Sequence, residues 1–334
     1  MNLDSTPAGS IEPGRAAGAL AVDGPLGARL VSVSWLTIAA SERVVIVPAE
    51  LFRLSAFVST TTSGEPLVEL SVAGLQTAPA AFTTPGDGCM VVALLTALGI
   101  AELLGTPMSA ITDRRILLED LCTWDELQPL ADGLRAVEGG EAAAHVMQAW
   151  IRARMQARRP LSGAPARAAE AAAALAGTEP DAGSVERLAQ RLGVSRRQLE
   201  RDFVHWVGVQ PGAYVRLARV QRAAQDLAEG QAAVAAAFDN GYADQPHLTR
   251  TTRAMTLLTP ATLRTHGMRP EASTLRRLLA DRLLFLRMPD EAVESGRVES
   301  LPTGCPLTRF IRSVGDARRA ALRNAGDRTP KIAR

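Results

Sequence analysis

Two stretches of the chain share one plan: a short apolar helix, a glycine turn, and a second helix with charged or polar residues outside. The first is 184–206, SVERLAQRLGVSRRQLERDFVHW. Ser184 supplies an N-cap, Val185, Leu188, Ala189 and Leu192 fall on one helical face, and Gly193 suits the left-handed residue that ends a helix. Ser195 is placed to cap the next helix, which turns Leu199, Phe203 and Trp206 inward and leaves Arg196, Arg197, Glu200 and Arg201 outside. The second stretch is 232–253, AAVAAAFDNGYADQPHLTRTTR. A small apolar helix over 233–238 runs into Gly241-Tyr242, and Asp244 is placed to cap a helix with Pro246 in its first turn. That helix turns Leu248 inward and leaves Gln245, His247, Thr249, Arg250 and Arg253 outward. The two turn glycines are 48 residues apart.

Helix, tight turn, helix is a plan in which the first helix braces the second. A helix so braced is narrow enough to enter a major groove, and arginine on its leading face reaches guanine O6 and N7 or a phosphate. Between the repeats, 210–229 (QPGAYVRLARVQRAAQDLAE) predicts one long helix. Pro211 fits its first turn, Tyr214, Leu217, Val220 and Leu227 form its inner stripe, and Arg216, Arg219 and Arg222 an outer basic ridge. A rigid helix of that length fixes the spacing of two reading heads, and successive major grooves on one DNA face lie about 34 Å apart.

These pieces resemble the AraC/XylS-type DNA-binding domain. The matching segments are LAQRLGVSRRQLERDF, GVQPGAYVRLARVQRA, and the NGYADQPHLTR run that leads to Thr259-Pro260. They cover about a quarter of the chain in the family's order. The resemblance implies seven helices, a transcription regulator, and base contacts from Arg197, Glu200 and Arg201 on the first recognition helix and Gln245, His247 and Arg250 on the second. The sequence departs from the family at Leu248 and Thr252, where Phe is usual, at Leu257, where Gly is usual, and at Pro246, which stands in place of a polar side chain. A more loosely packed second unit is the expectation.

The front half reads differently. Period-2 alternation over 31–35, at Phe52, Leu54, Ala56 and Val58, and at Val68, Leu70 and Val72 predicts half-buried strands, and the unbroken apolar run 90–95 a buried one. Residues 44–47 form a further apolar run, closed by Pro48. Thr106-Pro107 predicts a helix start, and 124–137 and 141–157 are helical by composition. The stretch GDGCMVVALLTALGIAELLGTPMSAITDRRILLEDL resembles the β-rich sensory or dimerisation domains that precede such DNA-binding modules. The fold class expected is therefore α+β, a β-rich domain followed by an all-α double helix-turn-helix domain. The expected divisions are a flexible arm at 1–28, the β-rich domain at 29–157, a linker with one Ala-rich helix at 158–183, the DNA-binding domain at 184–266, and a basic, largely disordered tail at 267–334.

Charge divides along the same lines. Residues 1–183 carry a net −8, 184–270 a net +5 and 271–334 a net +5. A basic back half suits a polyanion. The four histidines are His145, His205, His247 and His266, so residues 1–144 have none to build a metal-binding cupin site. The expectation is no metal, no cofactor and no enzyme activity. No Gly-rich phosphate loop, GxSxG elbow or HExxH motif occurs. Cys89, Cys122 and Cys305 form no CxxC pair. An alkyl-transfer enzyme fused to a DNA-targeting module would need a reactive cysteine in a polar, basic setting or a Cys₄ zinc site. The other alternative is a degenerate regulator acting mainly through protein contacts. With no apolar run of membrane length and no signal-peptide pattern, a cytoplasmic chain is expected. Its expected partner is double-stranded DNA, with room for a small-molecule effector and a homodimer and none for a membrane.

Overall fold

The computed structural model describes residues 17–20, 22, 24–38, 43–60, 64–83, 87–177, 184–256, 258–268, 285–287 and 299–300. The front half is a six-stranded antiparallel sheet backed by helices. Its strands are β1 (Ala17–Leu20), β2 (Leu30–Ile38), β4 (Phe52–Thr60), β5 (Pro66–Ala73), β7 (Gly88–Leu95) and β8 (Arg115–Leu117), in the spatial order β1-β2-β7-β4-β5-β8. A second sheet, in the order β10-β6-β3-β9, joins β3 (Arg43–Ile46) and β6 (Ala80–Thr83) to two short strands from the far end of the chain, β9 (Phe285–Arg287) and β10 (Glu299–Ser300). Those two strands fall in the stretch expected to be disordered; most of the rest of 267–334 lies outside the described residues, as does 1–16 of the expected arm.

The unbroken apolar run of β7 has a direct cause. It is the central strand, paired with β2 through Val33↔Ala93 and with β4 through Leu54↔Ala93. Val91, Ala93 and Leu95 enter the main core, while Met90, Val92 and Leu94 pack with Ile38, Leu51 and Phe57 on the other face. Burial on both faces leaves no place for alternation. The arm begins its pairing earlier than the sequence suggests. In β1, Gly18 lies so close to the Trp35 indole that a Cβ there would stand 2.3 Å from a ring carbon.

Helices α1 (Ala97–Leu104), α2 (Trp124–Arg135) and α3 (Gly140–Gln156) follow the strands. Thr123 and Glu126 form a capping box at the start of α2. The expected helix after Thr106-Pro107 is a single 3-10 turn, Met108–Ala110. The back half comprises α4 (Ala164–Ala176), α5 (Val185–Arg191), α6 (Arg196–Val207), α7 (Pro211–Ala228), α8 (Ala233–Asp239), α9 (Gln245–Thr256) and α10 (Pro260–Met268), seven helices among the described residues.

The two halves share one core. The main apolar cluster runs from Leu30 and Phe52 on the sheet through Met147 and Ile151 on α3 and Ala168 and Leu175 on α4 to Leu188, Phe203 and Leu217 on α5, α6 and α7. The Ala-rich helix α4 thus serves both halves, packing on α1, α6 and α7. Polar pins reinforce the junction: the Thr112 hydroxyl donates to the Gly208 carbonyl at 2.8 Å, and the Gln221 amide donates to the Pro48 carbonyl at 2.5 Å. The second helix-turn-helix has a separate and smaller core, of Ala223, Ala224, Leu227, Ala236, Ala237, Tyr242, Leu248 and Leu263.

Candidate nucleic-acid interface

Each reading helix is built by its cap, its turn and its buried stripe. In the first unit, Gly193 takes φ 66°, which a side chain would strain, and the Ser195 hydroxyl accepts from the Gln198 amide at 3.1 Å. Leu199, Phe203 and Val207 are buried along α6, with Trp206 only half-buried at their edge. In the second unit Gly241 takes φ 65°, and the Asp244 carboxylate accepts from the His247 amide at 2.6 Å. Leu248, Thr252 and Thr256 form the buried stripe of α9.

The residues expected on the reading faces then differ in what holds them. On α6, Arg197 is exposed, and among the described residues no ion pair engages it. Arg196 is held by two carboxylates, its Nη1 donating to Glu186 Oε1 at 2.7 Å and its Nε to Glu200 Oε1 at 2.8 Å. Arg201 is exposed and donates to the Gln198 side chain, one turn back. On α9, Gln245, Arg250 and Arg253 are exposed, and His247 and Thr249 are half-buried. The Thr249 hydroxyl donates to the Gln245 carbonyl at 2.9 Å. The His247 ring stands edge-on to Tyr242, with centroids 5.2 Å apart and planes at 82°.

The outer basic ridge expected on α7 is not one. Arg216 alone of the three is exposed. Arg222 donates to the Ala176 carbonyl at 2.6 Å, satisfying the C-terminus of α4. Arg219 donates to the Gly241 carbonyl at 3.3 Å and stacks over Tyr242, its guanidinium carbon 5.8 Å from the ring centroid. These arginines tie α7 to its neighbours, one of them to the second reading turn. Burial pushes the Tyr242 phenol up to about 12, against the pull of Arg219 and Arg222. It stays neutral as it buttresses His247.

The sequence reading also missed the polar support behind α6. Asp202 is buried beneath the helix, where Arg167 of α4 reaches it. A carboxylate at the fourth position after a capped turn reads as surface; only the packing of α4 reveals its place.

Two cysteines fall among the described residues. Burial pushes Cys89 up to about 11, away from the thiolate a nucleophile needs. Cys122 is buried, 3.5 Å from an Arg154 nitrogen. Among the described residues no group of three or more His, Cys, Asp or Glu could hold a metal ion, and no helix is long and apolar enough to cross a membrane.

A family model described as a helix-turn-helix domain matches residues 188–266. A transcriptional regulator with an AraC-type DNA-binding domain from Chromobacterium violaceum is 30% identical over 31% of this chain and 95% of its own, with a TM-score of 0.30. ToxT from Vibrio cholerae is 9% identical over 69% of this chain and 95% of its own, with a TM-score of 0.35. A ToxT structure with bound unsaturated fatty acid is 9% identical over 70% of this chain and 93% of its own, with a TM-score of 0.34. No curated protein matches the chain. The family match falls over the two helix-turn-helix units, so residues 188–266 form an AraC-type helix-turn-helix domain.

Proposed function

We propose that this regulator reads duplex DNA through two neighbouring major grooves, with α6 in one and α9 in the next. The observation that carries this reading is the repetition of one capped, glycine-turned unit, each with exposed arginine on its outer helix that no ion pair engages among the described residues: Arg197 in the first, Arg250 and Arg253 in the second. Arg197 and Arg201, with Gln245, His247 and Arg250, are the base-reading set; Arg253 faces phosphate. The front half is the sensory or dimerisation part, and the protein acts in the cytoplasm on double-stranded DNA under a small-molecule effector. Footprinting of a genomically captured site tests the reading. Protection should span two adjacent major grooves on one face, and Arg197→Ala or Arg201→Ala should weaken specific binding more than non-specific binding. Unchanged operator affinity in both variants overturns the assigned face.

One set of observations favours a regulator that acts mainly through protein contacts. The second unit's small core is half alanine, and its first helix leaves Val234 and Phe238, one turn apart, 65% and 83% exposed. Equal affinity for a full site and for the first half-site alone would establish that reading.

A further inference from the structure

A cavity of about 770 Å³ opens where the front half meets α4 and α7. That size is within the range that holds drug-sized ligands. Its wall is largely apolar, with Val31, Leu51, Leu98 and Leu161 contributing from the front half and the connecting segment. Small residues of α4, among them Ala169 and Ala173, keep the space open. The charged groups of the wall all have one sign. Glu50, Glu102 and Glu170 line it, and among its described lining residues there is no Lys, Arg or His. The arginines that reach two of these carboxylates, Arg29 on Glu102 and Arg191 on Glu170, do not line the cavity. Arg53, whose guanidinium interacts with the Glu50 charge, is likewise buried outside it.

We infer that this cavity is the effector site of the regulator and that it selects a bulky apolar cation over an anion of the same shape. The inference rests on the reading above, since an effector is needed only if DNA binding is controlled. An anion would meet three carboxylates with no basic side chain in the wall to answer it, whereas a cation meets carboxylate acceptors in a wall that also includes Tyr214. The wall also contains the means of coupling. Tyr214 stands edge-on to Phe203 of α6, with centroids 5.4 Å apart and planes at 81°. Gln225, on the same helix, lines the cavity close to the second unit. A ligand touching the front half, α4 and α7 together favours whichever arrangement of these bodies it fits better, and so shifts the disposition of the reading heads by its differential affinity.

Tetraphenylphosphonium and tetraphenylborate are near-identical in shape and opposite in charge. Titration calorimetry on the full chain without DNA should show saturable one-to-one binding of the cation and at least tenfold weaker binding of the anion. Glu170→Lys, at an exposed position, should weaken the cation about tenfold and narrow the gap to the anion. Ala173→Trp, also exposed on α4, should fill the cavity and abolish cation binding while leaving the melting temperature unchanged. Saturating cation should then move affinity for the captured DNA site at least threefold. Equal binding of both ions, binding of neither, or cation binding indifferent to both substitutions overturns the ligand class. Cation binding that leaves DNA affinity unmoved overturns the effector role. A chain that binds no DNA defeats the proposed function instead, and leaves the calorimetric result standing.

Discussion

Arg167 and Asp202 join the connecting helix to the back of the first reading helix. Arg167 Nε and Nη2 both donate to Asp202 Oδ2, at 3.1 and 2.7 Å, and the Gln198 amide donates to the other carboxylate oxygen at 2.6 Å. Asp202 is only 6% exposed, so these partners rather than water satisfy its oxygens. Removing the arginine strands a buried carboxylate, which costs more than the pair contributes. Arg167→Met should lower unfolding stability by about 2–3 kcal/mol, less than for a fully buried pair because the Arg167 side chain is 28% exposed. Asp202→Asn, which removes the charge with the demand for it, should cost less. Urea unfolding of both variants measures the order.

Thr252 bears on the packing of the second unit. It is fully buried in α9, and its hydroxyl has no hydrogen-bond partner among the described residues. Valine has nearly the same shape and no hydroxyl to desolvate. Thr252→Val should stabilise the protein by about 1 kcal/mol, the lower end of what an unsatisfied buried hydroxyl costs. A raised melting temperature with unchanged DNA affinity is the expected result; a lowered one would place a partner on that hydroxyl.

The helix-turn-helix units were legible because their signals are local. A serine or aspartate cap, a left-handed glycine and apolar residues at helical spacing all lie within about 20 positions, and Ser195, Gly193 and Asp244 act as their chemistry requires. The front half was legible only where one face of an element meets water. Helix α1 was missed because it is buried nearly all round, from Ala97 to Leu104, so its sequence has no polar stripe. Its signals were at the ends, where Thr96 accepts from the Gly99 amide and Gly105 closes the helix with φ 62°. Strand β1 was missed because Ala, Gly, Ala and Leu alternate in nothing; its pairing with β2 makes it a strand. The arginines were the hardest to place. Arg196, Arg197, Arg219 and Arg222 all fall on outward helical positions, yet whether such a side chain is free or bound depends on which carboxylate or carbonyl the fold brings near.

That difference separates Arg196 from Arg253. Arg196 lies between Glu186 and Glu200, and Arg253 is exposed, with no ion pair engaging it among the described residues. Arg253→Ala should weaken all DNA sequences alike and reduce the slope of log affinity against log salt by about 0.9, the value for one phosphate contact. Arg196→Ala should change that slope much less, since the two carboxylates already neutralise the charge. Filter binding across a salt series on specific and random duplexes distinguishes them, and equal slope changes would mean that DNA draws Arg196 out of its pair.

Glu126 sets an acid limit on the front half. Burial works to raise its carboxyl, but the Thr123 amide and the Arg154 guanidinium outweigh that and hold it below the ordinary carboxylate value. The contacts are specific: the Thr123 amide donates to Glu126 at 2.8 Å and Arg154 Nη2 at 2.9 Å, while the Arg154 Nε reaches the Leu103 carbonyl at 3.0 Å. A group with a depressed folded pKa contributes stability that is fully present above its unfolded pKa, about 4.3 for glutamate, and is lost as pH falls through the folded value. Glutamine keeps the shape and the capping geometry without the charge. The stability gap between the wild-type chain and Glu126→Gln should therefore be widest above about pH 5 and close progressively on acidification through the unfolded pKa and below it. Urea midpoints measured between neutral and acid pH test this, and a gap that stays constant with pH would show that the Glu126 charge does not carry the contribution.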